Sequence, residues 1–465
     1  MRWRLAAAVV TGITLVLGSV YAAAGKTFVN WNQYLYSPVH SSDNVTAVTI
    51  TPSNASKLKT QWTFKPPSAP SGLNGFFSSP TVYNGVIYIG ARNGNFYAIN
   101  ETTGAVKWSR FIGFVTNKTC GAEGFTSTAT VAPDPTTGVL TVYVYGPSGF
   151  LYAMKASNGT DMWPPAKVAI PSATKNDYYA WSSPLVSRGR IYIGISSQCD
   201  VPLVRAGLDI FSQSTGALNN TFWTTPAGTR GASIWSSPAA AGSSVFVTTG
   251  NGTAASDGFA ILQLSRNLST LQGMWQVPAS QQVFDSDFGG SPGIWTAKGT
   301  EMVGACNKNG IFYAFKAGSL SSGPVWQDQV GNPSTAGPGE CDAAPAYDGS
   351  SLYLASNGTT ISGTAFGGSV RKVNPATGAY IWQTGLTGPV IGSPTLDGGG
   401  VVAAATFGSA TGQNGIFLLN ASTGQLVKTI SFGKSSTFAQ PVFADNYLIV
   451  ASTGPGLKAY KVPGT

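Results

Sequence analysis

The stretch Ile234–Asp257, IWSSPAAAGSSVFVTTGNGTAASD, decides the fold. It opens on Trp235 and Ser-Ser-Pro, turns at Ala-Gly-Ser-Ser, runs through Val245–Val247 and closes on Thr249-Gly250-Asn251. Physically this reads as a short strand, a tight turn, a second strand and a polar Gly-rich turn. The same order of signals recurs along the chain, so the stretch is one copy of a repeat.

A Pro opening an apolar strand recurs at Pro80, Pro184, Pro238, Pro292, Pro345, Pro394 and Pro441, with Ala129 in the remaining place. The steps are 49, 55, 54, 54, 53, 49 and 47 residues. Each copy continues with a second strand such as VIYIG, VFVTT or LIVAS, and a third such as FYAIN, FYAFK or LKAYK. A Thr-Gly turn, as at Thr103-Gly104, Thr215-Gly216, Thr377-Gly378 and Thr423-Gly424, leads to a fourth strand ending in Trp108, Trp163, Trp223, Trp275, Trp326 or Trp382. Four antiparallel strands about every fifty residues is the pattern of a β-propeller blade. The last copy stops after three strands, and Leu58–Phe64 upstream of the first copy offers the missing fourth. The expectation is therefore an all-β, eight-bladed propeller whose N-terminal strand completes the last blade and closes the ring, leaving no open edge. A two-domain sandwich is the alternative, which the even spacing disfavours. Only 10% of residues are charged and 58 are Gly, which suits strands and turns rather than helices. The net charge of +9 is spread without a basic run, so it predicts a solvated surface and no nucleic-acid partner.

Residues 1–24 read as an export signal: MRWR is its basic start, Leu5–Val20 its apolar core and Ala22-Ala23-Ala24 its cleavage site. A retained anchor is the alternative, and no Cys follows to make a lipoprotein. Residues 25–465 then form one secreted or periplasmic propeller domain, expected to be a monomer. Ten Asn-x-Ser/Thr sequons, at Asn44, Asn54, Asn100, Asn117, Asn158, Asn219, Asn251, Asn267, Asn357 and Asn420, are either glycan acceptors or turn chemistry.

In a propeller the loop entering strand one and the loop leaving strand two share one rim near the axis. Counted from each blade's Pro, Asp200, Asn251, Asp287, Lys308 and Trp235 all fall in those loops on blades 3 to 5. Two carboxylates, an amide, an ammonium and an indole face at one mouth suit a hard cation beside an anionic planar ligand. Each residue also has a structural reading alone: Asn251 as a turn residue, Asp287 as a loop brace, Lys308 as an exposed turn, Trp235 as rim packing. Their convergence is what carries the functional one.

The blade pattern in AINETTGAVKW resembles the pyrroloquinoline quinone (PQQ) repeat, and NWNQYLYSPVHSS…ITPSNASKLKTQW resembles the opening of quinoprotein dehydrogenases. GASIWSSPA…VFVTTGN and FDSDFGGSPGIW…EMVGACNKNGIFYAF are similar to the cofactor segments of the polyvinyl alcohol dehydrogenase family. This resemblance implies Asn251, Asp200 and Asp287 as Ca²⁺ ligands, Asp287 also as catalytic base, Lys308 on the quinone oxygens and Trp235 beneath the PQQ ring. It implies oxidation of an alcohol, a secondary alcohol or polyol, with proton transfer to Asp287 and hydride transfer to the quinone. Asp200 stands where the alcohol dehydrogenases carry a Glu, and the adjacent Cys pair of many of them is absent. No Cys-x-x-Cys-His occurs and His40 is the sole His, so electrons go to an external acceptor such as a cytochrome. A cofactor-free propeller that binds partners at the cell surface, like the barrel-assembly scaffold, is the competing expectation.

Cys120 and Cys199 fall on one rim of neighbouring blades, as do Cys306 and Cys341. Disulfides Cys120–Cys199 and Cys306–Cys341 are expected in an oxidising compartment, with a four-thiol zinc site as the alternative.

Overall fold

The computed structural model describes residues 27–69, 72–117, 119–171, 177–253, 255–333 and 340–465; the expected export signal lies outside them. Eight sheets of four principal strands each form the ring. Blade 4 is typical: Ala239–Ala241, Ser244–Thr248, Ala260–Ser265 and Leu271–Gln276 pair antiparallel in sequence order. Its first three strands are almost wholly buried because both faces pack on neighbouring blades, whereas the outer strand is half-exposed. That explains why the inner strands read as continuous apolar runs rather than alternating ones. Among the described residues no helix is long and apolar enough to cross a membrane.

Closure follows the sequence expectation. Lys59–Phe64 pairs antiparallel with Leu457–Lys461 and completes the blade begun by Val442–Ala444 and Tyr447–Ala451. Departures from the regular blade are local. Blade 2's fourth strand is only Ala166–Lys167, with Trp163 ahead of it, and blade 6 extends its middle hairpin to Leu352–Ile361 and Thr364–Val373.

The recurrent Trp and Thr-Gly signals meet across blade boundaries. The indole N–H of Trp62, Trp108, Trp163, Trp326 and Trp382 donates to the carbonyl of Glu101, Ala156, Gln213, Pro375 and Ala421, respectively. Each acceptor lies three residues before a turn glycine of the next blade, and that glycine sits on the indole ring. At Gly159 (φ +74°) an added Cβ would come within 2.7 Å of the Trp108 ring, so both backbone and contact demand glycine.

Nearer the axis, the residue two before the first strand of blades 1 to 4 donates its backbone N–H to the hydroxyl of its counterpart in the next blade. The run is Ser79 to Thr128, Thr128 to Ser183, Ser183 to Ser237 and Ser237 to Ser291, at 2.9–3.0 Å. Blade 6 has Ala344 there, and the Tyr34 hydroxyl reaches Ser291 and Ser393 at that gap. Tyr34 belongs to an N-terminal strap that bonds to seven blades, including Trp31 N–H to Val82 O, Ala240 N–H to Pro38 O, Ile294 N–H to Val39 O and Leu396 N–H to Ser42 O. Its bonds to Val82, Val131, Ala240, Ile294, Tyr347 and Leu396 fall within or at the inner strands, past the loops that precede them.

Turn chemistry accounts for several sequons. The side-chain oxygens of Asn100, Asn158, Asn267 and Asn420 accept bonds from the residues two further on, closing their own turns. Asn44 and Asn357 are fully buried.

Candidate functional site

The loops that precede the inner strands and follow the second strands of blades 3 to 5 open around a cavity of about 640 Å³. That volume lies within the range of small-molecule sites. Its floor is Trp235, three residues before Pro238, with Trp181 in the same position of blade 3 and the ring centroids 6.5 Å apart. Phe438, at that position in blade 8, also lines it.

All five rim residues expected from sequence converge here. Asp200, with left-handed backbone (φ 61°), accepts hydrogen bonds from the Ser197 hydroxyl and, at 2.9 Å, from the Asn251 amide. The same amide donates to Asp285 Oδ1 at 2.5 Å. Lys308 Nζ lies 2.7 Å from Asp285 Oδ2, 3.4 Å from Asp287 Oδ2 and 5.3 Å from the centre of the Trp235 ring. The Lys308 backbone N–H donates to the Asp287 carbonyl, which ties the blade 4–5 loop to the turn inside blade 5. Glycine makes room: a Cβ at Gly250 would lie 3.3 Å from both Asp287 Oδ1 and Trp235, and one at Gly289 would overlap Asp342.

The electrostatics are those of a crowded, poorly solvated cluster. Burial pushes the Asp287 carboxyl up to about 7, with the Lys308 ammonium acting against the rise. Burial also disfavours charge on Asp285, but the charge and hydrogen bond of Lys308 outweigh it and hold that carboxyl below its usual range. Burial opposes the Lys308 charge, yet Asp287, Asp342 and Asp285 together keep the ammonium above its ordinary value.

Asp200, Asp285 and Asp287 each place a carboxylate oxygen within 4.8 Å of the others. Asp287 is 5% exposed, and its Oδ1 is buried without a hydrogen-bond partner. An orphaned buried carboxylate oxygen is costly unless something meets it. Three carboxylates and the Asn251 amide are a hard-oxygen donor set, so the residues present fit an oxygen-seeking cation such as Ca²⁺, and the Trp235 face beneath Lys308 fits a planar anion.

Sequence reading passed over Asp285, although Asp285-Ser-Asp287 places two carboxylates two residues apart. Its left-handed backbone (φ 56°) turns it towards Asn251. Phe284 and Val201, each beside a cluster carboxylate in sequence, line the mouth and are 73% and 59% exposed. Asp342 and Phe438 share Trp235's position relative to their own Pro, and that phase was the signal for them.

Both expected disulfides are formed, with Cα separations of 5.9 Å for Cys120–Cys199 and 5.2 Å for Cys306–Cys341. The zinc alternative is thereby excluded. Each bond fastens a loop of the cavity, since Cys199 precedes Asp200, Cys306 lies two residues before Lys308 and Cys341 precedes Asp342.

Residues 31–245 match the family model described as glucose/ethanol/alcohol dehydrogenase, beta-propeller domain, and residues 308–462 the one described as outer membrane protein assembly factor BamB. The chain is a PQQ-repeat β-propeller. No curated protein matches its sequence. Among solved structures this PQQ-repeat propeller is similar to the quinohemoprotein alcohol dehydrogenase from Comamonas testosteroni, with a TM-score of 0.71 at 15% identity over 94% of this chain and 81% of that one. A europium-containing methanol dehydrogenase gives 0.70 at 15% identity, over 90% of this chain and 89% of the other. BamB from Moraxella catarrhalis gives 0.53 at 14% identity, over 88% and 98%. At these identities the likeness is one of fold, the fold of quinoprotein alcohol dehydrogenases.

Proposed function

We propose that this PQQ-repeat propeller is an exported quinoprotein dehydrogenase that oxidises an alcohol with PQQ and a hard cation, and passes the electrons to an external acceptor. The observation that carries the reading is the cluster of Asp200, Asn251, Asp285, Asp287 and Lys308 above the Trp235 face, at the mouth of one cavity.

When bound, PQQ with its cation would supply an electrophilic quinone carbonyl that accepts hydride. The chain's own part is positioning and proton transfer. Asp200, Asn251, Asp285 and Asp287 would hold the cation, and the Trp235 indole would form the floor for the ring. Asp287, whose Oδ1 is unpartnered, takes the proton of the substrate hydroxyl as general base. Phe284 and Val201 give the mouth apolar walls, which suits an alcohol carrying alkyl substituents, such as a secondary alcohol or the repeat of a polyvinyl chain. The sequence holds no Cys-x-x-Cys-His for a c-type haem, hence the external acceptor. In this reading residues 1–24 are a removable export signal and 25–465 one monomeric domain.

The test is a PQQ titration followed by Trp fluorescence, with Ca²⁺ and in parallel with Eu³⁺ or La³⁺, because three carboxylates suit a trivalent ion as well. Saturable, cation-dependent quenching is expected, with dye reduction by secondary alcohols that is lost in Asp287→Ala. No quenching at high micromolar PQQ with any of these ions overturns the reading in favour of a binding scaffold.

A further inference from the structure

The end of the ring opposite the cavity carries a pattern of its own. The strand registers place on that end the turns that join strands one and two and strands three and four, as Tyr83 opposite Val86 and Ile99 opposite Val106 show in blade 1. In six blades a large apolar side chain stands in solvent where the outer strand leaves its turn: Val106, Leu218, Leu271, Val325, Ile381 and Leu426 are 38–57% exposed. Single exposed apolar residues are ordinary on a protein surface, but one structural position repeated around one end is not scatter.

Charge sorts on the same end. Lys59, Lys107, Lys155, Arg188, Lys298 and Lys316 lie in these turns or on the strand ends beside them, and all are exposed. Acids of the same turns face inward instead. Asp134 accepts the N–H groups of Thr136 and Thr137, Asp397 that of Val401 and Asp445 that of Val29, and all three are 9% exposed or less. Among the described residues Asp161 and Glu301 are the exposed acids of that end, and Asp161 is held by Arg110. Lys59 also stands directly opposite Lys461 across two strands, a like-charge pairing that costs stability and that the fold alone does not ask for.

The described chain begins here too. The Val29 N–H bonds to Asp445 in the turn of blade 8, and Phe28 lies against Gly85 in the turn of blade 1. The apolar stretch Leu5–Val20 therefore joins the propeller from the side that carries the cations.

We propose that this end is a membrane-apposed face: its cations sit on anionic phospholipid headgroups, and its apolar side chains enter the boundary between headgroups and acyl chains. A basic surface interleaved with apolar side chains gains on both counts at an anionic bilayer, whereas a soluble polyanion offers it only charge. The cavity at the other end then opens to the aqueous side. The inference is independent of what the cavity binds.

Vesicle co-sedimentation tests it with the protein lacking residues 1–24, since the described fold begins at Thr27 and the removed apolar stretch would bind lipid by itself. Binding to phosphatidylcholine vesicles containing phosphatidylglycerol is expected, with little to phosphatidylcholine alone and loss at high salt. The triple variant Lys59→Gln, Lys107→Gln, Lys155→Gln is expected to lower the partition coefficient about tenfold or more. The pair Leu218→Ser, Leu426→Ser is expected to lower it as well. The pair Lys65→Gln, Lys434→Gln, exposed cations on the cavity side, is expected to leave it unchanged. Absence of wild-type binding to the anionic vesicles overturns the proposal without any variant. Equal losses in the two lysine variants overturn the assignment to this end. Binding to dextran sulfate as tight as to the vesicles, with both unaffected by Leu218→Ser, Leu426→Ser, makes the face a polyanion site and overturns the bilayer.

Discussion

Asp285 shows how a single residue can complete a site without announcing itself. It is the carboxylate nearest to Lys308, and it shares the Asn251 amide with Asp200. Read along the chain it is simply the first acid of Asp-Ser-Asp, and nothing local separates it from a loop brace. Its role becomes visible only when blade 4's turn brings Asn251 against it. Because ligand charge tunes metal affinity, Asp285→Asn, which keeps an oxygen but removes a charge, is expected to weaken cation binding about tenfold or more. Trp-sensitised terbium luminescence measures this directly, and an unchanged titration curve would remove Asp285 from the ligand set. Asp287, Asn251, Lys308, Asp200 and Trp235 were legible because the repeat assigns each a phase relative to its blade's Pro. Phe284 and Val201 were not, since an exposed apolar side chain has no signature until the cavity beside it is known.

At the scale of elements, the legible part of the fold was the strand grammar, since periodic apolar runs and turn glycines are local properties. The physical reason for the grammar lies between blades, where Trp62, Trp108, Trp163, Trp326 and Trp382 are each covered by the next blade's turn. Two glycines of blade 2 separate the contributions. Gly138 (φ +70°) has nothing within 4 Å of where its Cβ would be, whereas Gly159 (φ +74°) would press a Cβ to 2.7 Å from the Trp108 ring. Gly138→Ala should therefore cost only the left-handed backbone penalty, about 1–2 kcal/mol. Gly159→Ala should cost that plus about 1–3 kcal/mol for overpacking a closed contact. Urea unfolding of the two variants gives the difference; equal midpoints would mean that the Trp–Gly contact does not hold neighbouring blades together. Among the described residues blade boundaries 3–4, 4–5 and 7–8 lack this contact: the outer strand of blade 7 carries no Trp, and Trp223 is 40% exposed beneath the Arg205 guanidinium. The site's loops sit at two of these three boundaries.

The whole molecule is held shut by two devices, and only one of them was readable. The shared last blade followed from counting strands. The strap did not, because it forms isolated backbone bonds to successive blades and so carries no period of its own. Its far end runs parallel to blade 7, pairing Asp43 with Leu396 and Asn44 with Asp397. This seam is acidic and buried: Asp43 and Asp397 are 7% and 6% exposed. Burial pushes Asp43 up to about 7, aided by Asp348, and Asp397 up to about 8, against backbone hydrogen bonds and with Asp43 adding to the rise. In the unfolded chain both would titrate near 4. Between about pH 4 and pH 8 the folded state therefore binds more protons than the unfolded one, and stability contributed by this seam falls as pH rises through that window. Asp397→Asn keeps an acceptor for the Val401 N–H, now made by Asp397 Oδ1, while removing the charge. Its melting temperature is thus expected to match the wild type near pH 4 and to exceed it increasingly towards pH 8.5. Parallel melting curves across that range would show that the seam does not titrate on unfolding, and that the strap is locked by its backbone bonds alone.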